Sequence, residues 1–363
     1  MTLYPLKFRP WLRTMVWGGE KIAPYKGVQT TQTKIGESWE ISGVQGHVTD
    51  VACGPLEGRS LTSLVQEFKG ALVGEKVYAA FGDEFPLLIK FIDPASDLSI
   101  QVHPDDAMAE RVHGPGQKGK TEMWYVVSAD PGSYLLSGLS ESITPADYVR
   151  LVAENKITSV LSKHMLSPGD VFFLPAGRIH AIGKGAFITE IQQTSDYTYR
   201  IWDYGRLGLD GKPRELHTDL AKQAIDYKVY PSYRTTYTPL KNARVPLVSC
   251  PYFVTDLYDL DPAVGASSRP EAADLSCQAP TGYLIDLSGL DSFMVVICVE
   301  GSGTLEAVIP DSPAVPCPDA SPSCPAPTGR LPVPIRQGET VLIPACATSL
   351  RLSGTLKVLT SHL

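Results

Sequence analysis

The sequence predicts an all-β protein with small helical insertions. Short runs rich in β-branched and aromatic residues, each bounded by Gly, Pro or Asp, recur along the chain and are typical of strands. Helical periodicity is confined to segments 61–82, 145–156 and 214–228. The strand-like runs are PLLIKFI, LSIQVHP, TEMWYVVS, VFFLP, AFITEIQQ, TYRIWDY, FMVVICVE, TVLIP and TLKVLTS.

Two domains are predicted, with a boundary near residue 240. Segment 227–243 is polar and turn-rich and precedes a fresh series of strands, which is typical of a domain boundary. The first domain is therefore expected at 1–239 and the second at 240–363. Within the second domain, segment 310–334 is rich in proline and poor in apolar residues, so an extended loop is expected there.

A weak internal repeat supports two related domains. Gly169–Pro175 and Gly338–Pro344 share the pattern glycine, acidic residue, apolar run and proline. The first copy continues to His180, whereas the second continues through 345–349 without an imidazole. If the first copy binds a metal ion, the second cannot bind one in the same way, and the second domain is expected to be metal-free.

Composition and charge exclude several classes of function. With 43% hydrophobic and 20% charged residues, the chain is typical of a packed globular protein. The formal net charge of −7 argues against nucleic acid or an anionic membrane as the main partner. No signal-peptide pattern and no apolar run long enough to span a membrane is present, so a cytoplasmic location is expected. The seven cysteines contain no CxxC pair and are expected to be reduced.

Polar side chains share one face of the strand predicted near residue 100. In the run LSIQVHP the apolar residues alternate with Ser99, Gln101 and His103. Because successive strand side chains point to opposite faces, these three are expected to point the same way.

A carboxylate and a second imidazole complete a candidate metal site. Glu122 begins the next strand-like run, with Lys120 on the same face, and His180 follows the turn after Gly169–Pro175. Two imidazoles, a carboxylate and an amide oxygen suit a divalent transition metal with one open position. A single histidine is more often a hydrogen-bonded core residue, but the alternation and the spacing together favour a metal site.

The spacing from Gly169 to His180 resembles the second motif of the cupin superfamily of jelly-roll barrels. Further segments, covering roughly residues 5 to 230, resemble type I mannose-6-phosphate isomerases in their short bacterial form. These segments are Trp17–Gly19, Gly36–Glu40, Pro86–Lys90, Leu98–Asp106, Gly119–Glu122 and Glu190–Arg206. The resemblance implies two cupin-type jelly-roll barrels, of which the C-terminal one is degenerate.

The resemblance also implies a cofactor and its ligands. In this family zinc is held by residues that match Gln101, His103, Glu122 and His180, and one zinc ion per chain is expected. Such enzymes interconvert mannose 6-phosphate and fructose 6-phosphate through a cis-enediolate. The implied partner is therefore a small sugar phosphate, with no nucleic acid or membrane partner and a monomer or homodimer as the assembly.

Further roles follow from the same resemblance. Arg200, Glu190 and Lys120 match positions around the reacting carbons, and Lys90 and Ser99 match positions that bind the substrate. A plain salt bridge between paired strands is the simpler interpretation of Glu190 and Arg200. The base that moves the proton is left open between Glu190 and a histidine ring nitrogen.

Two other functions compete with an isomerase. His103, Glu122 and His180 also satisfy the two-histidine, one-carboxylate pattern of an Fe(II) cupin dioxygenase. A non-catalytic sugar-binding cupin is the second rival. Gln101 and the surrounding lysines and arginines argue against the first, and the presence of the proposed catalytic side chains argues against the second.

Overall fold

Each run predicted as a strand forms one in the computed structural model, which describes residues 2–264, 282–310 and 330–363. The protein is mostly β with antiparallel sheets, which confirms the fold class at that level. The strands are β1 (Leu6–Lys7), β2 (Trp11–Gly19), β3 (Ile35–Ile41), β4 (Leu87–Ile92), β5 (Ile100–Val102), β6 (Glu122–Ala129), β7 (Tyr134–Leu139), β8 (Leu161–Met165), β9 (Val171–Leu174), β10 (His180–Ile182), β11 (Ala186–Gln193), β12 (Tyr199–Trp202), β13 (Arg234–Thr235), β14 (Arg244–Ser249), β15 (Val254–Leu260), β16 (Tyr283–Asp286), β17 (Met294–Val308), β18 (Arg330–Arg336), β19 (Thr340–Ile343) and β20 (Ser349–His362).

Short helices lie within each of the three segments with helical periodicity. The helices are α1 (Ile22–Lys26), α2 (Leu61–Phe68), α3 (Gly70–Val73), α4 (Glu75–Phe81), α5 (Asp106–His113), α6 (Pro145–Ala153) and α7 (Thr218–Ala224). The sequence did not predict α1 or α5. Asp105 starts α5 by accepting a hydrogen bond from the Met108 amide at 2.8 Å, which is an N-cap rather than a periodic signal. No helix of the described residues is long and apolar enough to cross a membrane.

One compact unit comprises residues 10–47 and 86–236 and contains two antiparallel sheets. The strand order is β12-β5-β10-β7-β8 in the five-stranded sheet and β13-β9-β6-β11-β4-β3-β2 in the seven-stranded sheet. Ile100 and Val102 of β5 are fully buried in a cluster that includes Tyr148 of α6 and Ala221 of α7. Because β5 alternates, the opposite face of the five-stranded sheet is left for polar side chains.

The other compact unit comprises residues 1–9, 48–85 and 237–363. Its eight-stranded sheet has the order β1-β19-β17-β20-β15-β14, with β16 paired to β20 and β18 paired to β17. Helices α2 to α4 belong to this unit, since the Phe85 and Phe293 rings lie 4.5 Å apart and the Phe293 amide donates to the Val73 carbonyl at 3.2 Å.

The two compact units are not separated by a single boundary near residue 240, because each unit is built from more than one segment of the chain. One unit does end at residue 236, close to the predicted boundary. Segment 48–85, however, packs with the C-terminal part of the chain. The carboxylate of Asp291 accepts hydrogen bonds from the backbone amides of Glu75 and Lys76, at 2.7 and 3.1 Å. Contacts between residues so far apart in sequence leave no local signal.

The end of the predicted proline-rich loop is a strand. Residues 311–329 of the predicted loop 310–334 lie outside the described residues, but 330–334 belong to β18 and this part of the prediction was wrong. Pro332 pairs with Glu306 and Pro334 with Thr304. The Gln337 amide donates to the Gly301 carbonyl at 2.8 Å, so in this register the odd-numbered residues of β18 direct their N–H groups to β17. Both prolines therefore place the missing N–H on the outer side of β18. Among the described strands only β17 pairs with β18, so no ladder hydrogen bond is lost.

Candidate active site

Three polar side chains form a row across the five-stranded sheet. Gln101 of β5 is the cross-strand partner of His180 on β10 and of Arg200 on β12. Directly opposed residues project from the same face, so the three side chains lie side by side. Gln101 Nε2 lies 3.2 Å from His180 Nε2. Ser99, two residues before Gln101, belongs to the same face and is buried.

A second row of charged side chains lies on the seven-stranded sheet. Glu190 of β11 is the cross-strand partner of Lys90 on β4 and of Trp124 on β6. Glu122 begins β6, two residues before Trp124, and therefore projects from the same face as Trp124. Lys120, two residues earlier, is held by a hydrogen bond from its backbone amide to the Pro104 carbonyl at 3.0 Å.

The side chains of the two sheets meet at His103, Glu122 and His180. Glu122 Oε2 lies 3.5 Å from His103 Nε2, and Glu122 Oε1 lies 3.4 Å from His180 Nε2. One possible ligand atom from each of the three residues lies within 4.8 Å of the others, and all three side chains are buried. Three of the four predicted metal ligands are therefore brought together in one place.

Backbone carbonyls fix the orientation of both imidazoles. His103 Nδ1 lies 2.8 Å from the Tyr197 carbonyl oxygen, and His180 Nδ1 lies 2.8 Å from the Arg178 carbonyl oxygen. Since a carbonyl only accepts hydrogen bonds, Nδ1 carries the proton in each ring. The lone pair of each Nε2 is then directed toward Glu122, which is the arrangement of metal-binding histidines.

The protonation states of these residues fit a divalent cation. Burial lowers the pKa of His180 to about 4 and that of His103 well below its usual value, so both rings are neutral ligands near neutral pH. Burial and the charge of Glu190 raise the pKa of Glu122 to about 7. Glu122 Oε1 has no hydrogen-bond donor among the described residues, and a cation at this point would satisfy it.

Two buried lysines surround the carboxylates. Lys120 Nζ lies 2.9 Å from Glu122 Oε2 and 3.8 Å from Glu190 Oε1, and Lys90 Nζ lies 3.2 Å from Glu190 Oε1. Burial opposes the charge on Lys120, but Glu122 and Glu190 outweigh it and raise the pKa of Lys120 above its usual value. Burial likewise opposes the charge on Glu190, but Lys120 and Lys90 lower its pKa to about 2. Lys120 and Glu190 are therefore charged near neutral pH.

Lys90 and Arg200 have partners that the sequence did not indicate. Lys90 was expected to bind the substrate, but Glu190 already supplies a negative charge beside it. Arg200 Nη1 donates to the carbonyl of Glu215 at 2.9 Å and forms no ion pair with a carboxylate of the described residues. The simple alternative of a salt bridge between Glu190 and Arg200 is therefore not what the structure contains.

Asp203 and Arg214 are further charged residues near the site that sequence reasoning missed. Asp203 Oδ1 accepts hydrogen bonds from Arg206 Nη2 at 2.6 Å and from Arg214 Nη1 at 3.3 Å. Burial lowers the pKa of Arg200, and the charges of Arg214 and Arg206 lower it further. One carboxylate shared by two guanidinium groups leaves an excess of positive charge around Arg200. The recurrence of arginine along 200–214 is the signal that was available in the sequence.

The fold and these side chains define a cupin-like β protein with a candidate metal centre. A family model described as "Phosphomannose isomerase type I, catalytic domain" matches residues 6–127. The chain is 29% identical to mannose-6-phosphate isomerase ManA of Bacillus subtilis, over 100% of both chains. It is 35% identical to the probable mannose-6-phosphate isomerase GmuF of B. subtilis, over 61% of this chain and 68% of that protein.

Solved structures also match this chain over nearly its whole length. The crystal structure of the mannose 6-phosphate isomerase of B. subtilis matches with a TM-score of 0.79 and 27% identity, covering 99% of this chain and 100% of that chain. A putative mannosephosphate isomerase from Archaeoglobus fulgidus shares the fold with a TM-score of 0.69 and 20% identity, covering 100% and 98% of the two chains. The chain belongs to the type I phosphomannose isomerase family.

Proposed function

We propose that this chain interconverts mannose 6-phosphate and fructose 6-phosphate. The observation that carries the proposal is the position of Lys120, whose Nζ lies 2.9 Å from Glu122 Oε2 and 3.3 Å from His103 Nε2. A charged ammonium group beside a metal cluster suits a reaction in which negative charge develops on a sugar oxygen.

We assign a zinc ion to His103, Glu122 and His180, with the side-chain oxygen of Gln101 as a fourth ligand. This ligand requires the Gln101 amide to be turned, because its Nε2 is the atom that lies 3.2 Å from His180 Nε2. Nitrogen and carboxylate ligands with one position open to substrate are typical of catalytic zinc sites. When bound, zinc supplies Lewis-acid polarisation of the substrate oxygens without a change of redox state. The buried, neutral imidazoles and the Glu122 oxygen without a donor support this assignment.

Lys120 and Arg200 are the proposed groups that stabilise the enediolate. The reaction moves a proton between C2 and C1 while the carbonyl moves between O1 and O2, so the sugar oxygens gain negative charge on the way. Because the pKa of Lys120 is raised, its ammonium group keeps its charge and can donate hydrogen bonds to these oxygens. Arg200 lies beside Gln101 on the same sheet face and has no competing carboxylate among the described residues.

Glu190 is the proposed group that carries the proton. Of the two possibilities that the sequence left open, the imidazole nitrogens are less suitable, since both Nδ1 atoms hold backbone carbonyls and both Nε2 atoms are turned toward Glu122. Glu190 is ionised and buried. Its low pKa makes it a weak base, so contacts of substrate with Lys90 that loosen the ion pair would favour proton transfer.

The substrate's phosphate requires a net positive site. Lys90 and Ser99 remain the proposed substrate contacts, but Glu190 already balances the charge of Lys90 at 3.2 Å. The excess positive charge of Arg200, Arg206 and Arg214 is the stronger anchor for a dianion. A phosphate held remote from the reacting carbons also supplies binding energy for positioning, so unphosphorylated mannose is expected to be a poor substrate.

We also propose that both units are jelly-roll barrels of the cupin type and that the second is metal-free. The support is the strand order that the two units share.

A coupled assay tests the proposed function. Purified protein is stripped of metal, reloaded separately with Zn²⁺ and Fe²⁺, and supplied with mannose 6-phosphate or mannose. Formation of fructose 6-phosphate with the zinc form, and little turnover of mannose, is the expected result. Oxygen consumption with the iron form would instead identify a dioxygenase. Binding of the sugar phosphate without turnover in any metal form would identify a sugar-binding protein.

A further inference from the structure

Arg178 is a buried arginine without an acidic partner. Its guanidinium carbon lies 4.8 Å from the ring centroid of Tyr230 and 4.5 Å from that of Tyr233. Its relative exposure is 9%, and it forms no ion pair with a carboxylate of the described residues. The Tyr230 side chain and the charge of Asp226 also stabilise its charged form. Burying a charge is costly, and these contacts together with the two aromatic faces offset that cost.

The backbone of Arg178 holds the metal-site histidine. Its carbonyl oxygen lies 2.8 Å from His180 Nδ1, the contact that fixes the tautomer and the ring orientation. Its amide donates to the Pro175 carbonyl at 3.1 Å and closes the turn between β9 and β10. The side chain and the carbonyl belong to the same residue, so the position of the guanidinium group restricts the position of the carbonyl.

The two tyrosines are themselves fixed. Tyr233 Oη donates to the Leu139 carbonyl at 2.7 Å and accepts from the Tyr230 amide at 3.1 Å. Tyr230 Oη donates to Asp226 Oδ2 at 2.8 Å. The two ring centroids lie 5.9 Å apart with the ring planes at 65°, so the rings form a rigid two-sided slot whose faces meet at an angle.

The second copy of the internal repeat provides a comparison within the chain. The Ala347 amide donates to the Pro344 carbonyl at 3.0 Å, which closes the same turn as Arg178 and Pro175. Ala347 occupies the position of Arg178, and Ser349 occupies the position of His180. The turn thus forms without an arginine, and the copy that lacks the imidazole also lacks the arginine.

We propose that Arg178 is a positioning residue, which through its contacts with the faces of Tyr230 and Tyr233 holds the carbonyl that orients His180 toward the metal. This inference rests on the metal site of the proposed function. Hydrogen-bond partners of metal ligands typically contribute about 10-fold to 100-fold in metal affinity. Loss of the guanidinium group should therefore weaken metal binding rather than prevent folding.

The test compares zinc affinity in Arg178→Met and in a matched control. Arg234→Met is the control, because Arg234 also lies over an aromatic ring, 5.5 Å from the Phe172 centroid, but holds no histidine. Zinc affinity of the full-length, metal-stripped protein is measured by chelator competition, without substrate, and the melting temperature of each metal-free protein is recorded. We expect about a 10-fold to 100-fold loss of zinc affinity in Arg178→Met and wild-type affinity in the control.

Other outcomes separate this inference from the proposed function. Wild-type zinc affinity in a folded Arg178→Met protein would overturn the positioning role. Failure of the wild-type protein to bind zinc would instead overturn the metal site itself. If Arg178→Met does not fold, Tyr230→Leu removes one face of the slot and leaves Arg178 and His180 in place. A smaller loss of zinc affinity is expected there, and none would overturn the role.

The cobalt-substituted protein provides a spectroscopic measurement. The visible absorption of Co²⁺ reports the geometry of its ligands, so a misplaced His180 ring should change the spectrum of Arg178→Met. An unchanged spectrum together with an unchanged affinity would show that Arg178 only contributes to packing. Arg178→Lys keeps a cation between the rings and is expected to give intermediate behaviour.

Discussion

Two segments of the chain build the same turn between strands, and only one of them leads to a candidate metal ligand among the described residues. In the first, the Asp170 amide donates to the Ser167 carbonyl at 3.1 Å, and the Val126 amide donates to the Asp170 carbonyl at 2.9 Å. In the second, the Glu339 amide donates to the Arg336 carbonyl at 3.0 Å, and the Cys298 amide donates to the Glu339 carbonyl at 2.9 Å. The backbone frame is thus repeated nearly contact by contact.

The strand register identifies which residues differ between the two copies. Glu122 is the cross-strand partner of Leu174. Ile343 is the counterpart of Leu174 in the other unit, and its cross-strand partner is Met294. Met294 therefore occupies the position of Glu122. His180 begins β10, whereas Ser349 begins β20. The metal-site carboxylate and imidazole are therefore replaced by a buried methionine and a serine.

The proposed proton carrier also has a counterpart. Glu190 is paired with Trp124, and the matching pair in the other unit is Thr360 with Val296. The same strand pairing thus occurs in the described residues of both units, although only one unit has the candidate metal ligands at these positions.

Replacing His180 by the residue of the other copy is expected to have the largest effect. His180→Ser removes an imidazole ligand, so zinc binding should be lost and isomerase activity should fall by about three orders of magnitude or more. The protein should still melt cooperatively, because a serine occupies the matching position 349. Activity and metal content are measured on the same sample.

The reverse replacement is the control. Ser349→His should create no metal site, because Met294 stands where a carboxylate is needed. Full zinc content in His180→Ser would show that this residue is not a ligand.

Substitution of Arg200 tests the part of the candidate site that has no described counterpart in the other unit. β12 lies beside β5, but among the described strands none lies on the corresponding side of β16. Arg200→Ala should leave zinc content unchanged and lower kcat by about 10²-fold to 10³-fold, because a donor to a developing oxyanion is lost. Arg200→Lys should recover little, since an ammonium group cannot reproduce a planar set of donors.

Steady-state kinetics with mannose 6-phosphate and a metal assay provide the measurement. A near-normal kcat in Arg200→Ala would assign this residue to folding alone.

Substitution of Glu190 tests how much the buried charges at this site, which distinguish the two units, contribute to stability. Glu190→Gln leaves Lys90 without its carboxylate partner, and the free energy of unfolding should fall by about 3–5 kcal/mol. Thr360→Val is the matched control and should change stability by less than about 1 kcal/mol, because the Thr360 hydroxyl has no partner among the described residues. Urea denaturation of both variants gives the two values.

The effect of Glu190 should depend on pH. Its folded-state pKa of about 2 lies below its ordinary value of 4.5, so its contribution is present above pH 4.5 and is lost as the pH falls toward 2. The difference in stability between wild type and Glu190→Gln should therefore shrink over this acidic range. A difference that does not change with pH would contradict the ionised state assigned to Glu190.

The smallest effect on stability is expected at the turn between β9 and β10. Gly177 has a φ of +86°, and a Cβ there would lie 2.9 Å from the Ala224 carbonyl oxygen. Gly177→Ala should cost about 1–3 kcal/mol of stability, as expected for a side chain forced into this conformation. Cys346 is the matching residue, and Cys346→Ala should change stability by roughly 0.5 kcal/mol. Thermal melting of both variants tests whether the turns differ in this way.

The strand content was predictable because β-branched and aromatic runs mark buried strands. Helix α5 was not predictable from periodicity, since it is short and polar and depends on the Asp105 cap. The position of segment 48–85 depends on contacts with Asp291 and Phe293, which lie more than 200 residues away in sequence.

The site was predictable where alternation places side chains on one face. This reasoning found Gln101 and His103, whereas His180 was found from its spacing after Gly169. The strand pairing adds Arg200 beside Gln101. It could not find the carbonyls of Tyr197 and Arg178, because backbone atoms carry no signal in the sequence. Nor could it find that Glu190 neutralises Lys90, since that contact depends on the pairing of β4 and β11.

The prolines of β18 have a consequence for association between molecules. An uncovered strand normally offers a row of N–H groups to any other extended chain, and such rows promote aggregation. Pro332 and Pro334 leave two gaps in that row, so an approaching strand finds acceptors without the donors needed to continue a ladder. Among the described strands β18 has no neighbour on its outer side, and the two prolines oppose growth of the large sheet by a neighbouring chain there.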